Sequence, residues 1–293
     1  MKPYIILNPA AGSATKPRQL RRKLERLEPL AIRLTKKSDD ARLFARQAIA
    51  SGCRYIISAG GDGTLNEVVN GIGSRARHVS IGVIPLGTGN DFARILNLPL
   101  AIDENFEILR SRMTRPIDLV KVRSNRTHYF VNVSAGGFSG LVNEKLTPQI
   151  KRTWGPLSYI RSAAAALPKL HGYKTRVVID DQEQLALELY NVIIGNGAFV
   201  AGGLPIAPNA DPSDGLLDVI LIPKRSVAET LLVAAEILLG RHLSNRAILF
   251  RRGKKIAVRS RPGMWFNVDG ELVGNAPAVF EIIPGALNFV VKK

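Results

Sequence analysis

The residues most able to do chemistry cluster in a few short runs. Asp62 stands inside Gly60-Gly61-Asp62-Gly63-Thr64. Backbone amides of such a run can hold phosphate oxygens, and glycine lets the main chain come close to them. A carboxylate in that position repels phosphate unless a cation lies between, which points to Mg²⁺ or another divalent ion. Read alone, the same run also describes a tight turn whose Asp caps a helix. Two further loops are polar and carry glycine: Asn8-Pro9-Ala10-Ala11-Gly12-Ser13 and Pro85-Leu86-Gly87-Thr88-Gly89-Asn90-Asp91. No G-x-x-x-x-G-K-[ST] run occurs, and no G-x-G-x-x-G follows the first apolar run, so a nucleotide would be held by another arrangement. Asp211, Asp214 and Asp218 crowd one short stretch. Clustered oxygens suit a hard cation, although a solvated polar turn has the same composition. Asp269-Gly270-Glu271 offers carboxylates that can take a proton from a hydroxyl, and Asp269-Gly270 also reads as a hairpin turn between Val268 and Leu272. The four histidines, His78, His128, His171 and His242, have neither metal-ligand nor triad spacing, and no Gly-x-Ser-x-Gly elbow is present. Hydrolase chemistry therefore has no support.

The elements that must position these residues follow from periodicity. Over the first part of the chain, short apolar runs alternate with amphipathic segments. Tyr4–Leu7, Ala31–Leu34, Tyr55–Ile57 and Val79–Ile84 read as strands. Leu20, Leu24 and Leu27 mark one helix. Ala41, Phe44, Ala45, Ala48 and Ile49 mark a second, with Ser38 or Asp39 as its N-cap, and Leu65, Val68, Val69 and Ile72 mark a third. Such alternation predicts a parallel sheet covered on both faces, whose ligands bind at the carboxyl ends of the strands. The three glycine-bearing loops all fall at such ends. After Pro116 the texture changes to many strands separated by turn residues, as in an antiparallel sandwich or barrel. Only Leu157–Leu167 and Val227–Leu239 read as substantial helices there. The expected organisation is an α/β nucleotide-binding domain over 1–120, which a C-terminal strand at 286–293 can rejoin, and a β-sandwich domain over 121–285.

Composition narrows the partners. Lys and Arg outnumber Asp and Glu by 41 to 24 in 293 residues. That surplus attracts nucleotides, nucleic acid or an anionic membrane surface. A single cysteine, Cys53, rules out a disulfide within the chain and suits the cytosol. The opening Met-Lys-Pro-Tyr-Ile-Ile-Leu has too short an apolar run for a secretory leader, so none is expected. Val227–Leu239 contains Glu229 and Glu236 and is too short to span a bilayer.

Taken in order, Asn8-Pro9…Gly12 with Lys16, Gly60–Thr64 with Asn66-Glu67, Pro85–Asp91 with Arg94, Asp211–Asp218 and Asp269-Gly270-Glu271 resemble the diacylglycerol kinase catalytic-domain family. That family includes bacterial lipid kinases, sphingosine kinases and ceramide kinases. The resemblance spans nearly the whole chain. Gly60–Thr64 alone is shared with NAD kinases, whereas the downstream motifs favour the lipid kinases. The resemblance implies an NAD kinase/diacylglycerol kinase-like α/β domain, a C-terminal β-rich sandwich and an active site in the cleft between them. It implies ATP contacts at Asn8, Pro9, Gly12, Thr35, Gly60, Gly61, Asp62, Gly63, Thr64, Asn66, Glu67, Gly87 and Thr88. Thr35 also reads as a cap or turn residue. Glu271 is the first choice for the base that accepts the lipid hydroxyl's proton, Asp269 the second, and Asp62 joins the catalytic set. A structural Mg²⁺ is implied at Asp211, Asp214 and the carbonyl of Leu216, with a separate Mg²⁺ accompanying ATP.

The acceptor expected is a membrane lipid, diacylglycerol first, met at the inner face of a membrane by a cytoplasmic, peripherally associated protein. From Arg241 to Arg261 there are eight basic residues and no acidic one. Lys145, Lys151, Arg152, Arg161, Lys169, Lys174 and Arg176 form a second basic region around Trp154, Tyr159, Ile160 and Ala163–Leu167. Basic beside apolar suits an anionic bilayer, and a solvated face has the same look. The alternatives are an NAD kinase-like phosphotransferase on a soluble acceptor and a non-enzymatic nucleotide- or nucleic-acid-binding protein. Nucleic acid is not expected as a partner, because only Phe250 interleaves aromatic character into Arg241–Arg261.

Overall fold

The computed structural model describes residues 2–12, 17–137 and 171–292. The expected helix Leu157–Leu167, the basic and aromatic residues of its region up to Lys169, and Ser13 and Lys16 lie outside the described residues. The chain divides into two compact units, Met1–Leu119 with Pro284–Lys293, and Val120–Ile283.

In the first unit, β1 (Tyr4–Leu7), β2 (Ala31–Leu34), β3 (Tyr55–Gly60) and β4 (Ser80–Pro85) form a parallel sheet in the order β4-β3-β1-β2. Every residue of β1 and β3 is buried, as parallel strands covered on both faces require. The connections are α1 (Pro17–Glu25), α2 (Asp40–Ala50) and α3 (Asp62–Ile72), followed by α4 (Asp91–Ile95) and α5 (Ile102–Ser111). The chain leaves β1 for β2 on one side, then returns past β1 to β3 on the other. The carboxyl ends of β1 and β3 therefore flank the point where the winding reverses, the place where sheets of this kind bind ligands. The C-terminal segment returns as a further parallel neighbour of β4, with Asn288 and Phe289 opposite Ser80 and Ile81. Phe289 packs against Phe92 of α4 at a centroid distance of 5.0 Å. Helices α2 and α3 touch closely at Gly71, where an added methyl would lie 2.7 Å from Ala45 Cβ. The side-chain cap expected from Ser38 or Asp39 is not made. Asp39 has φ 68°, not the extended backbone a capping side chain needs, and Glu67 Oε2 instead accepts from the Ala41 N–H at 3.0 Å.

In the second unit, antiparallel pairing dominates. The second half of β5 (Thr114–Arg123) pairs with β6 (Thr127–Phe130). Around β9 (Glu183–Gly195) lie β7 (Val133–Gly137), β8 (Tyr173–Ile179) and β12 (Leu217–Pro223). Two short strands, β10 (Phe199–Val200) and β11 (Leu204–Pro205), precede β12, and β13 (Leu249–Gly253) pairs with it. β14 (Lys255–Arg261) lies between β8 and the first part of β17 (Ala278–Val290), while β15 (Phe266–Val268) pairs with β7 and β16 (Glu271–Gly274).

Alternation along β9 and β12 splits the core in two. Val192, Ile194, Leu217, Val219 and Leu221 face the sandwich interior with Phe130, Phe266 and Phe280. Ile193, Ile220 and Ile222 point the other way, onto Val233 of α6 (Val227–Leu238). Each such fully buried side chain contributes roughly 1.5–3 kcal/mol, so both faces of these strands are committed. After α6, His242 is fully buried and its Nε2 lies 3.0 Å from the Ile206 carbonyl.

Burial holds the His242 imidazole below its ordinary value of 6.5, against the opposing pull of the Ile206 carbonyl and Glu236. The folded ring therefore holds its proton less readily, and the unfolded chain takes up the proton first as pH falls. The stability it confers is present above about pH 6.5 and is lost as pH falls toward the lower folded value. The unfolding midpoint is expected to drop between pH 7.5 and 5.5, and a His242→Asn variant to flatten that part of the profile in thermal melts.

Candidate active site

Three loops at the carboxyl ends of β1, β3 and β4 meet by close backbone approach. An added methyl on Gly87 would lie 2.6 Å from Gly61 Cα, and one on Gly61 would lie 3.0 Å from Gly87 Cα. Gly12 stands equally close to the third loop, its would-be methyl 3.0 Å from Thr88 Oγ1. A side chain on Gly87 would clash with the main chain there, and one on Gly61 or Gly12 would be tightly crowded. Side chains then cross-link the loops. Asn8 Nδ2 donates to Thr64 Oγ1 at 3.2 Å, while Asn8 Oδ1 accepts from the Ala10 N–H at 3.0 Å. Asn90, in the left-handed region at φ 52°, accepts from the Gly87 N–H at 2.9 Å and donates to the Gly87 carbonyl at 2.7 Å. Asp62 Oδ1 accepts from the Phe92 N–H at 3.2 Å, so the carboxylate ties the start of α3 to the start of α4. Its other oxygen has no partner among the described residues. Gly63 is exposed and would meet nothing within 4 Å if it carried a methyl. The N-terminal turn of α3 thus presents free space beside backbone amides, the geometry that receives phosphate oxygens.

The other residues expected around a nucleotide divide between loop and interior. Pro9, Gly12, Gly87 and Thr88 belong to the three loops, and Gly60 ends β3. Thr35 follows β2, where its N–H donates to the Leu7 carbonyl, and its side chain is nearly buried. Asn66 is buried, bonded to Asn70, and Glu67 caps α2. Of these two, Glu67 has a structural duty that accounts for one of its oxygens. Asp91 is buried and Arg94 exposed.

In the second unit, Val268-Asp269-Gly270-Glu271 forms the tight turn between β15 and β16, with Asp269 and Gly270 at φ 45° and 95°. Positive φ at both central residues is the hairpin geometry that Asp-Gly favours. Asn267 Oδ1 accepts from the Gly270 N–H at 3.0 Å and braces the turn. Asp269 is enclosed by main chain. Its Oδ1 accepts from the Val133 N–H at 2.9 Å, and its Oδ2 from the N–H groups of Val131 and Asn132 at 3.1 and 3.4 Å. Those bonds hold residues 131–133 in place and commit both oxygens of the carboxylate to main-chain donors. Glu271 is half-exposed, and Oε2 lies 3.7 Å from Arg126 Nη2. Arg126 also donates to the Leu272 carbonyl at 2.8 Å, so it fixes the hairpin beside that carboxylate. Asn132 serves the neighbouring turn, donating to the Phe199 carbonyl and accepting from the Asn196 and Gly197 N–H groups.

The acidic stretch before β12 is a loop closed on itself. Asp211 Oδ1 accepts from the N–H and hydroxyl of Ser213, and Asp214 Oδ1 from the Leu216 N–H. Arg252 of β13 bridges Asp214 and Asp218, its Nε 2.8 Å from Asp218 Oδ1. Asp218 is almost wholly buried and its Oδ2 has no hydrogen-bond partner among the described residues. Burial pushes its carboxyl up, Arg252 beside it pulls it back, and Asp214 adds to the upward push. Three carboxylates fall within eight residues here, and two of them, Asp214 and Asp218, share one guanidinium. An oxygen-only donor set of this kind fits a hard divalent cation. Among the described residues, no group of three or more His, Cys, Asp or Glu side chains is arranged to hold a metal by side chains alone, so a main-chain carbonyl such as that of Leu216 would have to complete the set.

Residues 2–122 match the family model described as the diacylglycerol kinase catalytic domain, and residues 132–291 match the YegS C-terminal NAD kinase beta sandwich-like domain. The chain belongs to the diacylglycerol kinase family. Relatives named diacylglycerol kinase support the same membership along the whole length. One from Staphylococcus carnosus (strain TM300) is 32% identical over 280 residues, covering 94% of this chain and 90% of that protein. One from Bacillus subtilis (strain 168) is 30% identical over 295 residues, covering 99% and 96%. A solved structure from Bacillus anthracis str. Sterne superposes with a TM-score of 0.81 at 25% identity, covering 99% of this chain and 95% of that one. In this diacylglycerol kinase fold, the expected α/β unit with parallel strands and the expected β-rich sandwich are both present.

Sequence reasoning gave no individual role to Asn90, Arg126 or Arg252. Asn90 had a local signal, since Asn is the non-glycine residue most at ease in the left-handed region. The two arginines had none, because their partners lie 146 and 38 residues away in the chain. Replacing Asp269 by Ala is expected to leave the N–H groups of 131–133 without their acceptor. The unfolding free energy should fall by on the order of 3 kcal/mol in denaturant titrations, whereas Glu271→Gln should leave it unchanged within about 0.5 kcal/mol.

Proposed function

We propose that this chain transfers the γ-phosphoryl group of ATP to the free hydroxyl of diacylglycerol, giving phosphatidic acid and ADP. Membership of the family makes it an ATP-dependent lipid kinase; the named relatives supply diacylglycerol as the acceptor. The observation that carries the nucleotide side is the meeting of the three glycine loops at the switch point of the parallel sheet. In this reading the phosphates lie against the amides of Gly60–Thr64 and the loop at Gly87-Thr88, with Asn8, Pro9, Gly12 and Thr35 beside them. Asn66 and Glu67 act behind the loop, holding α3 and α2.

Phosphoryl transfer depends on placement and on charge stabilisation more than on covalent chemistry. The acceptor oxygen forms a bond to the γ-phosphorus as the bond from that phosphorus to the bridging oxygen of ADP breaks. The hydroxyl proton passes to a carboxylate, for which Glu271 is the better candidate, because both oxygens of Asp269 already accept from three main-chain N–H groups. Asp269 is then the residue that sets the turn on which Glu271 stands. Mg²⁺ supplies charge neutralisation when bound. Asp211, Asp214 and the Leu216 carbonyl are the residues proposed to hold one such ion, and the free oxygen of Asp62 to face another beside the phosphates. In this reading the protein works at the inner, cytoplasmic face of an anionic membrane, which the lipid acceptor and the basic surplus favour. No helix among the described residues is long and apolar enough to cross one.

Labelled ATP, Mg²⁺ and dispersed diacylglycerol are expected to give an organic-extractable labelled product, with no transfer to NAD in a parallel aqueous assay. Transfer to NAD alone would replace this reading by the soluble-acceptor one. Asp62→Ala is expected to abolish transfer with the fold intact. Glu271→Gln should lower kcat by at least about a hundredfold with little change in KM for ATP; a rise in KM alone would reassign Glu271 to the nucleotide. Millimolar Mg²⁺ without nucleotide is expected to raise the unfolding midpoint of the native chain but not of Asp211→Asn.

A further inference from the structure

α6 presents an apolar face to solvent. Val227, Leu231 and Leu238 lie along one stripe of the helix, and Leu232 and Leu239 along the stripe beside it. All five are at least 42% exposed, and alanines fill the gaps between them. The opposite side of the same helix is anchored, with Val233 buried against Ile193, Ile220 and Ile222. A surface helix normally turns charged or polar residues outward. Here the outward arc carries none. Glu229 is tied back at the N-cap, its Oε2 accepting from the Ser226 N–H and hydroxyl, and Glu236 accepts from Asn245. The charges stand at the two ends. Arg225 precedes the cap and Arg241 follows Gly240, both exposed, and neither guanidinium is in an ion pair among the described residues. Exposed Arg246 adds a further cation just beyond.

We infer that α6 is the element by which this chain docks on an anionic bilayer, lying along the surface with its leucines in the acyl boundary and Arg225 and Arg241 at the phosphates. Twelve residues span about 18 Å along the axis, far short of a bilayer crossing and suited to lying flat. The bilayer is chosen over a protein partner by charge complementarity at both ends and by the 41-to-24 excess of basic residues. It also rests on the lipid-kinase reading, since diacylglycerol resides in a membrane. Because α6 is fixed to the core by Val233 and its neighbours, docking needs no rearrangement of the helix.

Co-sedimentation of the full chain with phosphatidylcholine vesicles, with and without phosphatidylglycerol, tests this without turnover. The native chain should sediment with the anionic vesicles, and Leu231→Glu/Leu232→Glu should partition at least about tenfold less. Arg225→Glu/Arg241→Glu should lose the preference for anionic vesicles. All are exposed positions, so the unfolding midpoint and the turnover of dispersed short-chain diacylglycerol should be retained. A polarity-sensitive fluorophore on Leu232→Cys reports the face directly, and should shift to the blue on adding vesicles. Vesicle binding by the leucine variant equal to that of the native chain would overturn the inference, as would failure of the native chain to bind. So would a fluorophore already shielded from aqueous quencher before vesicles are added, which would show the face covered by this chain or by a second copy. If vesicle binding follows the expected pattern while short-chain diacylglycerol is not phosphorylated, the docking surface stands and the acceptor assignment falls.

Discussion

The near contact of two main chains, at Gly61 and Gly87, is the constraint on which the nucleotide loops depend. A side chain on Gly87 would force the loops apart, and one on Gly61 would press tightly on Gly87 Cα. The contact fixes the loops after β3 and β4 relative to one another, and the Leu86 N–H bond to the Gly60 carbonyl at 2.9 Å extends the pairing of those strands up to it. Asn90 then closes the second loop on Gly87, and Asp62 joins the two helices that follow. A single added methyl would separate the loops and with them the amides of the α3 N-terminus. Parallel strands supply the platform, and this contact brings the loops after β3 and β4 together, with Gly12 of the β1 loop beside Thr88.

In the second unit, order is achieved by a carboxylate instead of by glycine. Asp269 gathers the N–H groups of Val131, Asn132 and Val133, and those of Asn196 and Gly197 bond in turn to the Asn132 carbonyl. Removing main-chain donors from water is costly unless each finds an acceptor. Asp269 meets that need and at the same time orients the turn carrying Glu271. Two carboxylates separated by one glycine therefore have different tasks, one structural and one left with an oxygen to spare.

The strands β9 and β12 impose a further consequence. Both of their faces are buried, one in the sandwich and one beneath α6, so α6 is required as a lid over Ile193, Ile220 and Ile222. One apolar stripe suffices for that task. The second stripe of the helix faces outward and has no role in the core, which is why it calls for a partner outside the unit.

Much of this protein was legible in the chain itself. Periodicity told the α/β segment from the strand-rich one, and Gly61 and Gly87 marked close backbone approach, because glycine alone brings no side chain to such a contact. Asp-Gly between apolar runs marked the hairpin for the same local reason. Tertiary structure alone decided which of Asp269 and Glu271 keeps a free oxygen, since the donors that occupy Asp269 lie more than 130 residues earlier. It also decided that Glu67 caps α2, that Arg252 bridges Asp214 and Asp218, and which stripe of α6 meets the core. Local sequence sets backbone conformation and the spacing of apolar residues. Which donor meets which acceptor, and which apolar face stays wet, depends on segments brought together only when the chain has folded.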